Sequence, residues 1–168
     1  MRTCRVLPAL LLTAFSGFAL AHSAPNSLVI LDFAPHSVHA QMLVPESELA
    51  FATAGEAHSL PLAAYFLRHV GAETADGVRW RVEVRSVRST QYFEHAYLLA
   101  EIELTPPAGV SPRGFVLIDD AVTHEVRNHV VTVHARGAAQ SEFLGALQYP
   151  ARRLAIRQPP SEGSIGSR

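Results

Sequence analysis

The sequence predicts a mainly β protein, an antiparallel β-sandwich of the immunoglobulin-like kind with one or two helices inserted. Three observations predict it. Short runs that alternate apolar and polar residues recur along the chain, the clearest being Val78-Arg79-Trp80-Arg81-Val82-Glu83-Val84-Arg85. Turn-forming stretches such as Ala34-Pro35-His36-Ser37 and Asp76-Gly77 separate these runs. Extended helical spacing occurs once, from Ser59 onward, so helix is the insertion and strand the framework.

The chain has 168 residues, 48% hydrophobic and 17% charged, the composition of one folded domain rather than a disordered segment. Its formal net charge of -1 recommends no nucleic-acid partner. The first residues, Met1-Arg2-Thr3-Cys4-Arg5, are basic, residues 6–20 are apolar, and Ala19-Leu20-Ala21 is a small-x-small cleavage site. Residues 1–21 therefore read as a cleavable signal peptide, which implies an exported, periplasmic location. The apolar run is short for a membrane span and contains Pro8 and Gly17, and no later segment is apolar enough for a transmembrane helix. Cys4 is the only cysteine, so residues 22–157 form a domain that depends on its core rather than on disulfides. Residues 158–168 are polar, rich in proline, glycine and serine, and read as a disordered tail.

Taken in order, residues 27–33 form a strand, and residues 38–44 return with Val38, Ala40, Met42 and Val44 on one face. His39 falls on the polar side. Pro45 ends that strand, and Glu46-Ser47-Glu48 opens a short helical turn carrying Leu49 and Phe51, with acids at its favourable end. After a loop at residues 53–57, Ser59 caps a helix whose apolar face is Leu60, Ala63, Ala64, Leu67 and Val70. Arg68 and His69 suit its C-terminus and Gly71 stops it, so His69 has a structural explanation. Residues 78–85 then form a strand with Trp80 in the core. Residues 88–91 form a loop, and residues 96–104 a strand with Glu101 and Glu103 outward, placed to pair with the arginines opposite. Residues 106–114 are loop, and residues 115–118 are a short strand. Residues 144–149 and 154–157 supply closing edge strands.

The most chemically loaded stretch is 118–134, Ile-Asp-Asp-Ala-Val-Thr-His-Glu-Val-Arg-Asn-His-Val-Val-Thr-Val-His. A two-residue turn at Arg127-Asn128 would make it a hairpin, with Val126 opposite His129 and His124 opposite Val131. His124 and His129 then become diagonal neighbours on one face. Asp119 and Asp120 lie at its start.

Several segments carry a family resemblance. They are the Ala21-His22 junction, Val44-Pro45-Glu46-Ser47-Glu48-Leu49, the helix ending Tyr65-Phe66-Leu67-Arg68-His69, and Pro106-Pro107-Ala108-Gly109 with Ser111-Pro112-Arg113 after it. The last is Asp119-Asp120-Ala121-Val122-Thr123-His124-Glu125-Val126-Arg127-Asn128-His129. Together they resemble the extracytoplasmic N-terminal region of bacterial HupE/UreJ-like membrane proteins, a hydrogenase and urease accessory family with nickel-permease-like members. The resemblance implies a periplasmic accessory role in metal uptake and a membrane protein as partner. The transmembrane bundle that normally follows this region in the family has no counterpart before Arg168.

Two functions follow as expectations. The first is binding of a transition metal, nickel or copper, by His22, His124 and His129 with Asp120 nearby. Cleavage after Ala21 would give His22 a free α-amino group beside its imidazole, two nitrogen ligands of the type these ions favour. The second is a structural module that docks onto a membrane or exported partner without metal. No enzyme is expected: Gly-x-Ser-x-Gly and His-Glu-x-x-His are absent, and Ser-His-acid combinations can be assembled only from scattered residues.

Overall fold

The computed structural model describes residues 25–54, 60–137 and 140–160. The expected signal peptide, residues 1–21, and His22 lie outside the described residues, as do Ser59 and the tail from residue 161. The elements are β1 (Ser27–Phe33), β2 (Val38–Pro45), α1 (Glu46–Thr53), α2 (Leu62–His69), β3 (Val70–Glu73) and β4 (Arg81–Tyr92). Then come β5 (His95–Thr105), β6 (Gly114–Asp119), β7 (Val130–Ala135), β8 (Glu142–Gln148) and β9 (Arg153–Arg157). They build a six-stranded sheet in the order β4-β5-β2-β1-β7-β8 and a three-stranded sheet in the order β3-β6-β9. This is the expected sandwich with a helical insertion. One pairing departs from the antiparallel rule: β1 runs parallel to β7. No helix among the described residues is long and apolar enough to cross a membrane.

Alternation decides which side chains enter the core. In β2, Val38, Ala40, Met42 and Val44 are all buried, and in β5 Ala100, Ile102 and Leu104 meet them from the next strand. Val29, Leu31, Val131 and Val133 continue the same inner face across β1 and β7. Trp80 is buried as expected and packs on Phe115 with ring centroids 4.7 Å apart. Burying side chains of this size contributes roughly 1.5–3 kcal/mol each before the entropy cost. β8 and β9 are edge strands, as their sequences suggest.

Several readings of the sequence are corrected. The loop at residues 88–91 is strand: β4 runs on to Tyr92 and turns through Phe93-Glu94 into β5. A register shift between Val84 and Ser86 leaves Arg85 without a cross-strand partner. It bonds Glu83 on its own strand at 2.6 Å, while Glu101 accepts from Ser86 and Glu103 faces His39. The expected arginine–glutamate ladder is absent among the described residues: the register sets Arg81 opposite Thr105 and Glu83 opposite Glu103, and Arg85 falls in the bulge.

The inner face of α2 also differs. Tyr65, Phe66 and His69 are buried, whereas Leu60 and Leu67 are exposed. Rotating the helix this way puts its two largest apolar surfaces in the core. The helix ends at His69, and Val70 and Gly71 already belong to β3. In the tail, Gln158 donates its backbone N–H to Arg113 at 2.7 Å, prolonging the contact line of β9 past residue 157.

The hairpin at residues 118–134 is the largest correction. β6 belongs to the three-stranded sheet and β7 to the six-stranded one, so residues 120–129 cross between sheets. They do so in helical turns: His124 N–H bonds Asp120 O, Val126 N–H bonds Val122 O, and His129 N–H bonds Val126 O. Asp119 starts the turn, its Oδ1 accepting from Ala121 N–H at 3.0 Å. A crossover satisfies this backbone locally, so Val126 and His129 have no cross-strand pairing.

Candidate functional site

The crossover sets Asp120 against the end of α2, and one residue there holds two histidines. Asp120 Oδ1 accepts from His69 Nδ1 at 2.8 Å, while its backbone oxygen accepts from His124 Nδ1 at 2.6 Å. Asp120 returns its own N–H to His69 O at 3.2 Å, so the contact is made from side chain and main chain together. The imidazoles of His69 and His124 stack with centroids 4.4 Å apart and planes 21° apart. Tyr65 lies tilted against His69, centroids 4.5 Å apart, and its hydroxyl donates to Ala121 O at 2.5 Å. Arg152 approaches Asp120 Oδ2 at 3.6 Å from the solvent side.

These bonds fix tautomers. A carbonyl oxygen only accepts, so His124 carries a proton on Nδ1, and in its neutral form the lone pair is at Nε2. That Nε2 is buried and has no hydrogen-bond partner among the described residues. An imidazole held through Nδ1–H with a bare Nε2 is the form in which histidine binds a metal, with an oxygen behind it to raise its basicity. Asp120 stands in the supporting position for both rings.

The stacking limits what the pair can do. A metal sits in the plane of its imidazole, about 2.0 Å from the nitrogen. Two rings tilted by only 21° at 4.4 Å cannot both place one ion in their planes. His124 and His69 therefore do not chelate a single ion as they stand. Among the described residues, no three His, Cys, Asp or Glu side chains are grouped to hold a metal ion.

Of the residues singled out from sequence, Asp120 and His124 come together, and His129 is placed elsewhere. His129 is 1% exposed, and its Nε2 accepts from Ser27 N–H at 3.2 Å and from the Ser27 hydroxyl at 2.8 Å. Its Nδ1 faces Glu48 Oε2 at 3.9 Å. Burial pushes this histidine down to about 4, so it is neutral at physiological pH. Asp119 lies beside the site, fully buried, with Oδ2 lacking a partner among the described residues. Burial first, and the neighbouring Asp120 charge after it, push its carboxyl up to about 7 against the bond from Ala121. His69 was missed because its place at a helix end already explained it, and only the tertiary contact with Asp120 reveals the second use.

Compared with models of known protein families and with curated proteins, the chain matches none.

Proposed function

We propose that this is an exported, periplasmic domain that captures nickel or copper as an accessory to metal uptake, with His124 Nε2 as its fixed ligand. The observation that carries the reading is the buried Nε2 of His124, unpartnered among the described residues and set up as a ligand by the bond from Nδ1 to Asp120 O. The α-amino group and imidazole of His22 supply the further nitrogen ligands. Five Cα-to-Cα steps separate His22 from Ser27 and reach at most ~17 Å, and Ser27 is bonded to His129 in the same crossover that carries His124. Asp120 acts behind His124 and His69 rather than on the ion, and His129 is not a ligand. The resemblance to HupE/UreJ-like ectodomains supports both the location and the class of metal.

Copper(II) is the probe that tests the ligand set. Its spin-resonance spectrum should show nitrogen hyperfine structure in the mature protein and lose the His124 contribution in His124→Ala. An unchanged spectrum in that variant would remove His124 from the site.

A specific observation favours a second reading, a docking module. Phe51 on α1 and Leu60, Leu62 and Leu67 at α2 are exposed large apolar residues, with Phe51 at 66%. Recovery of a membrane-protein partner from extract, equal in chelator and in nickel and lost in Leu67→Ser, would support docking without metal.

A further inference from the structure

One end of the six-stranded sheet gathers exposed apolar side chains. There β2 stops at Pro45 opposite Tyr97, and Asn26, just before β1, accepts from the Tyr97 hydroxyl at 3.2 Å. At the same end β7 begins at Val130 opposite Gln148, the last residue of β8. The start of β1, α1 and the crossover therefore meet here. Phe51 lies on α1 one turn beyond Glu48, whose carboxylate faces His129. Leu67 lies two residues before His69, which Asp120 ties to the crossover. Tyr149 follows β8, with Arg127 over its ring at 4.8 Å. All three are exposed.

The β4–β5 hairpin reaches past this end. Gln91 pairs with Ala96 and Tyr92 with His95 beyond the last pairing of β2, so two further strand residues lift the turn clear of the sheet. That is roughly 7 Å. At the tip, Phe93 is the most exposed large apolar side chain among the described residues. Its φ of 52° is a conformation that a bulky side chain holds only at a cost. The edge contact of its ring with Tyr92 does not offset that cost by burial. A ring held out in this way is placed for contact with something outside the chain.

The entry of the chain says what that is. Residues 6–20 are apolar and read as the membrane-inserted part of a signal peptide. From Ala21 to Ser27 the chain reaches at most ~20 Å, and Ser27 opens β1 at this same end. A signal peptide in the bilayer thus holds the apolar end of the domain close to lipid. We propose that this end is a lipid-docking face, on which Phe93, Phe51, Leu67 and Tyr149 seat the exported domain against the bilayer surface. The ring of Tyr149 and the guanidinium of Arg127 suit the headgroup level. Exposed Glu94 and Glu125 stand at this end with exposed Arg127 and Arg152, so the attraction is apolar rather than electrostatic.

The inference takes its direction from the signal-peptide reading and owes nothing to metal capture. Where both hold, His124 is presented beside the membrane, at the place where an uptake partner receives the ion.

Co-sedimentation of the mature chain with phosphatidylcholine vesicles, in chelator, tests the face without metal and without any membrane protein. The chain should bind, and binding should persist when salt is raised. Phe93→Gly should weaken partitioning about tenfold. That variant relieves the strained turn, so its loss of binding does not come from misfolding. Val110→Ser alters an exposed residue toward the opposite end, beyond Thr105 of β5, and should leave partitioning unchanged. No sedimentation with lipid alone, or equal losses in the two variants, would overturn the lipid face. Binding only to vesicles that carry extracted membrane proteins would overturn it too and assign this end to a protein partner. Because chelator is present, failure of metal capture leaves the result untouched, and amino-terminal sequencing of the exported chain tests the signal peptide separately.

Discussion

His69, at the end of α2, and His124, in the crossover, stack at 4.4 Å because Asp120 holds one by its carboxylate and the other by its main-chain oxygen. The helical insertion and the crossover between sheets are thereby tied at one residue.

Replacing Asp120 with Asn keeps the main-chain bond to His124 but removes the charged acceptor of His69. The expected cost is about 1–2 kcal/mol, the worth of a charge-assisted bond in a partly buried site. Urea unfolding measures it. Asp120→Ala should cost no less, and wild-type stability in both would mean that the contact is not holding α2.

Two buried groups oppose each other in the pH dependence of stability. Asp119 is raised to about 7 from 3.8, so its contribution is full below pH 3.8 and is lost as pH rises through 7. His129 is lowered to about 4 from 6.5, so its contribution is full above pH 6.5 and is lost as pH falls through 4. Between about pH 4 and 6.5 the slopes have opposite signs and largely cancel. Chemical unfolding across that window should show stability rising with pH in Asp119→Asn and falling with pH in His129→Gln. Parallel profiles in the two variants would contradict the assigned shifts.

The β4–β5 turn carries a strained residue. Phe93 sits at φ 52° with its side chain 84% exposed, a conformation that suits glycine or asparagine. Phe93→Gly should raise stability by about 0.5–1 kcal/mol even after losing the edge contact with Tyr92. A thermal melt shifted downward would contradict this.

At β8, Gly145 has φ 153° and lets the two sheets approach: an added Cβ would come within 2.9 Å of Leu154. Gly145→Ala should destabilise by about 1–3 kcal/mol, with Leu154→Ala in the same chain restoring part of the loss.

The sandwich was legible because its strongest signals are local. Val38, Ala40, Met42 and Val44 alternate inward, and Trp80 is buried as expected, although β4 begins only at Arg81 rather than at residue 78. Residues 118–134 misled because β-branched residues around Arg127-Asn128 read equally well as a hairpin, and local pattern does not say which sheet each strand joins. The Asp119-Asp120 pair was the available signal for a turn, since an Asp side chain bonds the backbone two residues on, as Asp119 does with Ala121. Nothing local could reveal His69 as the partner of Asp120. The inner face of α2 was misjudged because leucine spacing was weighed above the larger surfaces of Tyr65 and Phe66.

The most direct test of metal capture is calorimetric titration of the mature chain, beginning at His22, with nickel and with copper. Three companions are a chain with one residue added before His22, His124→Ala and His129→Gln. The expected result is tight one-to-one binding in the mature chain, kept in His129→Gln and lost both on N-terminal extension and in His124→Ala. Binding that survives His124→Ala, or that is no tighter than an exposed histidine provides, would contradict the site.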